Sequence, residues 1–557
     1  MLLLLACVPA EDDDAPGVIA PVGGDDTGLD VIDDTDTTVA DDTGEPPEEE
    51  DPPPPQLVIN EVMTENSYTL KVDGAYPDWI EIYNPTAETV AMTRLTLVDG
   101  SGLIWMGTEG ELAPGTYTLV YADSADNGLH APFSLDQDGD VVTLGVDGYV
   151  VDRIATGEID EDLSWARIPD GGDWYPTAWT TPGETNGDEP SDTLDPMATL
   201  FTLQQVHQVH LDLGSSGYQA LRSSPTTYTE INSFTLGDSM IEDVGVRLAG
   251  SMTYQPITSK ARFKVDFNRY GDHRFRGLKK INLLNMYYEP SYVCEYLGYY
   301  VFESFEVPAP RNAYAWVTVN DGSSDLDYGL YLFSETYDDV WLDYWYGNSG
   351  GYLWEPNYGD ITSGSGSWDC EEGACDTSVI EPIADLMRSS ATDANVAEIE
   401  LYLDLEESLR EIAVELAIGQ WDGYCAVHNY RLYWDPDTEL VTIIPSSLDL
   451  TFDNYGDYGD DLYSCSGSLL SWCLSNEGCE ERYNDILLDL ADQWESESWD
   501  LLGKIDEIET LIDSYAYDDD AIGRAQYSYA QHLSNLDRVR TYVINQPDVI
   551  RSAVANR

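Results

Sequence analysis

Positive charge is what this chain lacks most. Its 557 residues hold 25 Lys and Arg against 105 Asp and Glu, a formal net charge of −80. Such a surface repels a phosphate backbone, which excludes nucleic acid as a partner. Long apolar runs are missing too: no stretch reaches the 18 or more residues of a transmembrane helix. Cysteine is sparse, with Cys294, Cys370, Cys375, Cys425, Cys465, Cys473 and Cys479 following Cys7. The close pairs Cys370/Cys375 and Cys473/Cys479 have no His at zinc spacing and are candidate disulfides of an exported protein. The odd count leaves one thiol over, for which Cys294, in an apolar helical stretch, is the candidate.

The scarce cations are not scattered. Lys260, Arg262, Lys264, Arg269, Arg274, Arg276, Lys279 and Lys280 fall within one short segment, diluted only by Asp266 and Asp272. Such an island either neutralises neighbouring acids or holds an anion, most simply a phosphate.

The N-terminus begins Met1-Leu-Leu-Leu-Leu-Ala-Cys7 and continues, without any Lys or Arg, through an Asp/Glu-rich stretch that ends in four prolines. The Leu-Leu-Ala-Cys run resembles a bacterial lipobox, which implies lipidation at Cys7. Residues 8–56 cannot bury a core and read as a self-repelling tether. Together they predict an exported protein on the bacterial envelope, touching the membrane only through a lipid anchor.

Two folded bodies follow, residues 57–187 and 202–557, joined by a linker over 188–201. The first alternates apolar and polar residues in short runs, as in Trp79-Ile-Glu-Ile-Tyr83 and Val141-Val-Thr-Leu144. That period of two predicts an all-β sandwich. Ile59-Asn60-Glu61-Val62, Asp78 to Asn84, Trp165 to Gly171 and Thr181-Pro-Gly183 with Asn186 resemble the lamin-tail domain. The resemblance implies an immunoglobulin-like sandwich serving adhesion or positioning. Glu61, Asp78 and Glu81 are either calcium ligands or a solvated strand face.

In the second body strands come first and helices afterwards, predicting a two-lobed α+β domain. The run Ser259 to Phe267 alternates, which places Lys260, Arg262, Lys264 and Asp266 on one face of a strand. His207 and His210 lie three apart on a strand, on opposite faces, and are no metal pair. A helix over Asp404–Gln420 is expected, with two more near 480–514 and 523–546. It leads into Trp421-Asp422-Gly423-Tyr424, His428-Asn429, a β-hairpin, and Leu448-Asp449. An Asp and an Asn in one loop, a hairpin and a second Asp form the working order of phosphoryl transfer. That chemistry is mainly positioning and charge neutralisation, with carboxylate and amide oxygens suited to Mg²⁺ and Lys or Arg to phosphate. Read without that order, Asp422 is a helix-end cap and Asp449 one more acid. The usual kinase signatures, a Gly-rich loop, His-Arg-Asp and Asp-Phe-Gly, are absent.

Further segments stand in one order: Gly245-Val-Arg247-Leu-Ala-Gly250, Ser259-Lys260, Gly277 to Asn285, Glu295-Tyr-Leu, Val307-Pro-Ala-Pro-Arg311, Gly329-Leu-Tyr331 with Glu335, Trp421 to Tyr424, His428-Asn429-Tyr430, and Leu448 to Phe452. With these the region from Val206 to Val554 resembles the CotH family of atypical kinases. The resemblance implies ATP and Mg²⁺ as cofactors and a protein Ser/Thr hydroxyl, or another envelope component, as acceptor. It implies Asp422 as the catalytic Asp, Asn429 and Asp449 on the metal, Lys260 on the ATP phosphates with Glu295 as its helix partner, and Arg247 near phosphate. Asn282 and Asn285 would brace the lobe, and Glu335 would be nucleotide-proximal or structural. The chain departs from the family pattern at Ser447, where an acid is usual, at Asp453 for Gly, at Cys294 for Arg, and at Ser251-Met252. Those departures leave a second expectation, a catalytically inactive envelope scaffold or adhesin. A third, a calcium-dependent surface protein using Asp453–Asp461, lacks regular ligand spacing.

Overall fold

The computed structural model describes residues 53–557, apart from 68, 189, 191–193, 196, 199, 238, 272–273, 357, 364–367 and 453–460. Cys7, nearly all of the acidic tether and most of the Asp453–Asp461 run lie outside the described residues.

The alternating runs of the first body form two antiparallel sheets. One has the order Asp173–Thr177, Ser164–Ile168, Val58–Met63, Asp78–Tyr83, Tyr117–Ala122. The other runs Ile104–Met106, Leu95–Val98, Val141–Val146, Tyr149–Ala155. Ile59, Ile80, Ile82, Leu97, Val142 and Leu144 are fully buried in one shared core, as the period of two requires. The carboxylates once weighed as calcium ligands are instead internal fasteners. Glu61 accepts from Ser164 Oγ (2.5 Å) and Thr181 Oγ1 (3.1 Å). Glu81 accepts from Asn60 Nδ2 (2.9 Å) and the Gly183 N–H (2.6 Å), and Asp78 from the Asn66 N–H (3.2 Å). Glu61 and Glu81 thereby clamp the closing Thr181–Gly183 segment onto the sheet.

The second body begins with a nine-stranded sheet. Its order is Thr229–Ile231, Val244–Ala249, Arg262–Asp266, Lys280–Leu284, Asp325–Glu335, Asn312–Asn320, His207–Asp212, Ser233–Leu236, Ser239–Ile241. The pairing of His207–Asp212 with Asn312–Asn320 is parallel. His207 is buried on the Leu200 carbonyl (2.7 Å), while His210 on the other face meets Asp325 (3.1 Å). One side of the sheet carries an apolar core that includes Val246, Phe263, Val265 and Phe333. The Cys294–Ser304 helix packs on the other side and joins this lobe to the helical one through a larger core.

The helical lobe carries a four-stranded sheet, in the order Trp368–Glu372, Tyr352–Pro356, Tyr430–Trp434, Val441–Pro445. Its central helix is Leu405–Ala417, N-capped by Asp404 on the Glu407 N–H. The span expected as one helix over 480–514 is two, Glu477–Trp494 and Leu501–Ala521. Asp500, in a left-handed conformation (φ 38°), caps the second by accepting from the Gly503 N–H, which turns the chain between them. A last helix, Tyr529–Ala555, closes the lobe. Among the described residues no helix is long and apolar enough to cross a membrane.

Candidate functional site

The basic island divides according to the pleat. Phe263 and Val265 fill the core, so Arg262 and Lys264 project from the opposite face, toward the second lobe. Lys264 lies directly opposite Arg247 in the antiparallel register. Like charges so placed destabilise a sheet. A third cation, Arg431, comes from the Tyr430–Trp434 strand of the helical lobe. It donates to Ser446 Oγ (2.6 Å), stands 4.1 Å from the Tyr337 ring and lies 3.5 Å from Glu355. Burial, with the guanidiniums of Arg247, Arg262 and Arg431, pushes the Lys264 ammonium down to about 8, against the weaker pull of Glu371. The Nε atoms of Arg262 and Arg431 are buried with no hydrogen-bond partner among the described residues. A cation held below its ordinary proton affinity beside two guanidinium groups is a setting in which an anion would be stabilised. The rest of the island is spent elsewhere: Arg276 stacks on Trp179 (5.2 Å) and Lys279 pairs with Asp339.

Facing these cations is a group of buried carboxyls. Glu295, in the first turn of the Cys294–Ser304 helix, is buried, and burial together with the Asp449 charge raises its pKa, opposed by Arg262. Asp449 is likewise raised, by burial and the Asp422 charge, with Arg262 again opposing. Glu289 is fully buried behind them; burial and the charges of Glu295 and Asp449 raise it well above the usual carboxylate range. Arg262 thus serves two acids at once. Arg262, Lys264, Glu295, Tyr337, Arg431 and Ser447 line a cleft between the lobes whose free volume is about 60 Å³.

The loop after the Leu405–Ala417 helix supplies the next group. Asp422 splits its carboxylate: Oδ1 lies 2.7 Å from His428 Nδ1, and Oδ2 accepts from Asn429 Nδ2 at 2.7 Å. The Asn429 N–H returns to the Asp422 carbonyl (3.0 Å), closing the loop. Val427, β-branched, sits at φ 51°, ψ 40° inside it, a strained conformation that the surrounding bonds enforce. The His428 ring stacks on Tyr358 at 4.0 Å.

Of the expected site residues Glu295 lines this cleft. Asp449 couples to Glu295 by charge, Asp422 couples to Asp449 and holds Asn429, and Arg247 stands opposite Lys264, whereas Lys260 does not join them. A turn closed by the Ala261 N–H on the Ser259 carbonyl (3.1 Å) delays strand pairing until Arg262. The Lys260 ammonium is consequently buried between Tyr292 and Tyr331 and pairs with Asp519 at 2.6 Å. The expected partnership of Lys260 with Glu295 is corrected: Arg262 is the cation that Glu295 feels. Glu335 lines the same cleft and is held there by Arg311, accepting from its N–H (2.8 Å) and Nη2 (2.7 Å). Asn282 Nδ2 reaches the Glu335 carbonyl (3.2 Å), and Asn285 Nδ2 the Lys260 carbonyl (2.8 Å). Cys370–Cys375 and Cys473–Cys479 are disulfides, Cys425–Cys465 is a third, and Cys294 is free and buried. Arg431 and Glu289 were missed by sequence reasoning. Arg431's only local signal was one cation in an otherwise apolar and aromatic strand.

A sheet lobe and a helical lobe, with a cleft lined by both cations and acids between them, define a protein of two-lobed, kinase-like architecture. Residues 246–550 match the family model described as CotH kinase protein, and residues 50–158 the Lamin Tail Domain. The chain belongs to the CotH family, with a lamin-tail sandwich ahead of the family domain. No curated protein matches it.

Proposed function

We propose that this protein is an envelope-tethered kinase that transfers the γ-phosphoryl group of ATP, with Mg²⁺, to protein Ser or Thr hydroxyls. The lamin-tail sandwich serves adhesion or positioning, and a lipid on Cys7 serves as the anchor. The observation that carries the reading is the polarised cleft. Arg262, Lys264 and Arg431, with one depressed ammonium and two buried guanidinium Nε atoms that have no hydrogen-bond partner among the described residues, face the buried carboxyls of Glu295 and Asp449.

In this reading the three cations take the phosphates, roles that replace the one expected of Lys260. Asp422 orients the acceptor hydroxyl and receives its proton, with His428 and Asn429 fixing the carboxylate's two oxygens. Among the described residues no group of three or more His, Cys, Asp or Glu side chains stands ready for a metal. That suits magnesium, which is commonly held by one or two protein carboxylates together with substrate phosphates. Asp449 and the Asn429 side-chain oxygen would hold it, and its charge would relieve the crowding of Glu295 against Asp449. When bound, the ion supplies neutralisation of the charge developing on the phosphates. The cleft of about 60 Å³ is smaller than a nucleotide, so the lobes must part to admit one.

The experiment is titration of ATP into the full chain, with and without Mg²⁺, beside Lys264→Ala and Asp449→Ala. Saturable, Mg²⁺-dependent binding lost in both variants is the expected result. Absence of saturable binding at millimolar ATP would sink the kinase reading. The inactive scaffold, favoured by Ser447 at the usual acidic position, would then lead.

A further inference from the structure

The Leu405–Ala417 helix buries two carboxyls side by side. Glu411 and Glu415, four residues apart on one face, are each 1% exposed. Their side chains abut, so one of them must carry a proton, and one oxygen of each has no partner among the described hydrogen bonds. Their neighbours are tyrosines and further acids. Tyr424 and Asp422 approach from the loop above, Tyr430 from the adjacent strand and Tyr483 from the Glu477–Trp494 helix, with Asp360 and Asp461 beyond them. A buried pair so costly needs a reason.

The reason lies in what Glu415 touches. Its Oε1 accepts the Cys425 N–H at 2.7 Å. Gly423 permits that approach, since a Cβ there would stand 2.7 Å from the Glu415 carboxyl. Cys425 is held twice more: its carbonyl accepts from the Ser466 N–H (2.8 Å) and its sulfur bonds to Cys465. The turn Tyr424–Ala426 lies between Asp422 and Asn429, so whatever fixes Cys425 fixes the separation of those two side chains.

We propose that Glu415 is a positioning residue for the Asp422 loop, acting through the Cys425 N–H, with Glu411 behind it sharing the proton that prevents two adjacent buried charges. This rests on the kinase reading for its consequence in catalysis but not for its geometry. Glu415 ionises first, near 8, while burial beside Glu415 holds the Glu411 proton to higher pH; only above that second step do two charges face each other beside Asp422, and the loop loosens.

Hydrogen exchange by mass spectrometry on peptides covering 421–429 tests it in the wild type, Glu415→Gln, Glu415→Leu and Glu411→Gln. At pH 7 Glu415→Gln, which keeps the acceptor oxygen, should exchange as the wild type does. Glu415→Leu should exchange roughly tenfold faster or more, as expected when a buried N–H loses its acceptor. After correction for intrinsic rates, wild-type exchange should rise at alkaline pH, once the pair has lost its last proton, and that rise should be absent in Glu415→Gln and Glu411→Gln. In a phosphotransfer assay Glu415→Leu should lower kcat with the KM for ATP unchanged. The proposal is overturned by wild-type-like exchange in Glu415→Leu, or by Glu415→Gln exchanging as fast as Glu415→Leu. If the wild type transfers no phosphate the kinase reading falls, while the exchange data still decide the role of Glu415.

Discussion

The Lys260 ammonium meets the Asp519 carboxylate at 2.6 Å, and the two side chains are 4% and 0% exposed. Tyr292 donates its hydroxyl to the same oxygen (2.8 Å). An upstream lysine that sequence order would hand to ATP is therefore a strut between the sheet lobe and the Leu501–Ala521 helix. Its neighbour two residues on, Arg262, faces the cleft.

Replacing Lys260 should accordingly injure folding. Lys260→Met leaves Asp519 buried and uncompensated, a loss of about 3–5 kcal/mol by the usual behaviour of broken buried pairs. Urea denaturation of the variant, beside Lys260→Met/Asp519→Leu, measures it. Recovery of stability in the double variant is expected, and an unchanged midpoint in the single variant would contradict the strut.

Lys264→Ala should do the opposite. It relieves the repulsion from Arg247, Arg262 and Arg431, so the melting temperature should hold or rise. Affinity for ATP-Mg should fall at least tenfold, the cost of about one charge-assisted contact. Differential scanning calorimetry and titration on the same sample separate the two effects.

Asp422→Asn should retain nucleotide binding and lose phosphotransfer by roughly 10²–10⁴, the range ascribed to a positioned base. A variant that binds and transfers normally would remove Asp422 from catalysis.

Metal-dependent binding should also titrate. Burial raises Asp449 from its ordinary value to about 6, and only the ionised carboxylate binds a cation. Mg²⁺-dependent ATP affinity should therefore weaken as pH falls through about 6, and recover with excess Mg²⁺, which competes with the proton. Titrations at pH 5 to 8 give the midpoint.

In the sandwich, burial raises Glu61 from 4.5 to about 8, opposed by its bonds to Ser164 and Thr181. The folded form therefore holds its proton more tightly than the unfolded form does. This contribution to stability is fully present below pH 4.5 and is lost as pH rises through 8. The melting temperature of the wild type should thus fall relative to Glu61→Gln between pH 5 and pH 9.

Much of this arrangement was legible in the chain. The period of two in Val141–Leu144 reflects which face that strand buries, and burial there is written locally in the order of apolar residues. The family segments fixed the order of Asp422, Asn429 and Asp449 in the same way. What no local pattern carries is which distant group a charge will meet. Alternation put Lys260 beside Arg262, yet one turn at Ser259–Ala261 sent it to Asp519, 259 residues away. Arg431 enters the cleft from the other lobe, and the acidic pair in the Leu405–Ala417 helix acquires meaning only where the Asp422 loop lands on it. Patterns of burial are set by neighbours in sequence, whereas electrostatic partners are set by packing, and packing is decided by the chain as a whole.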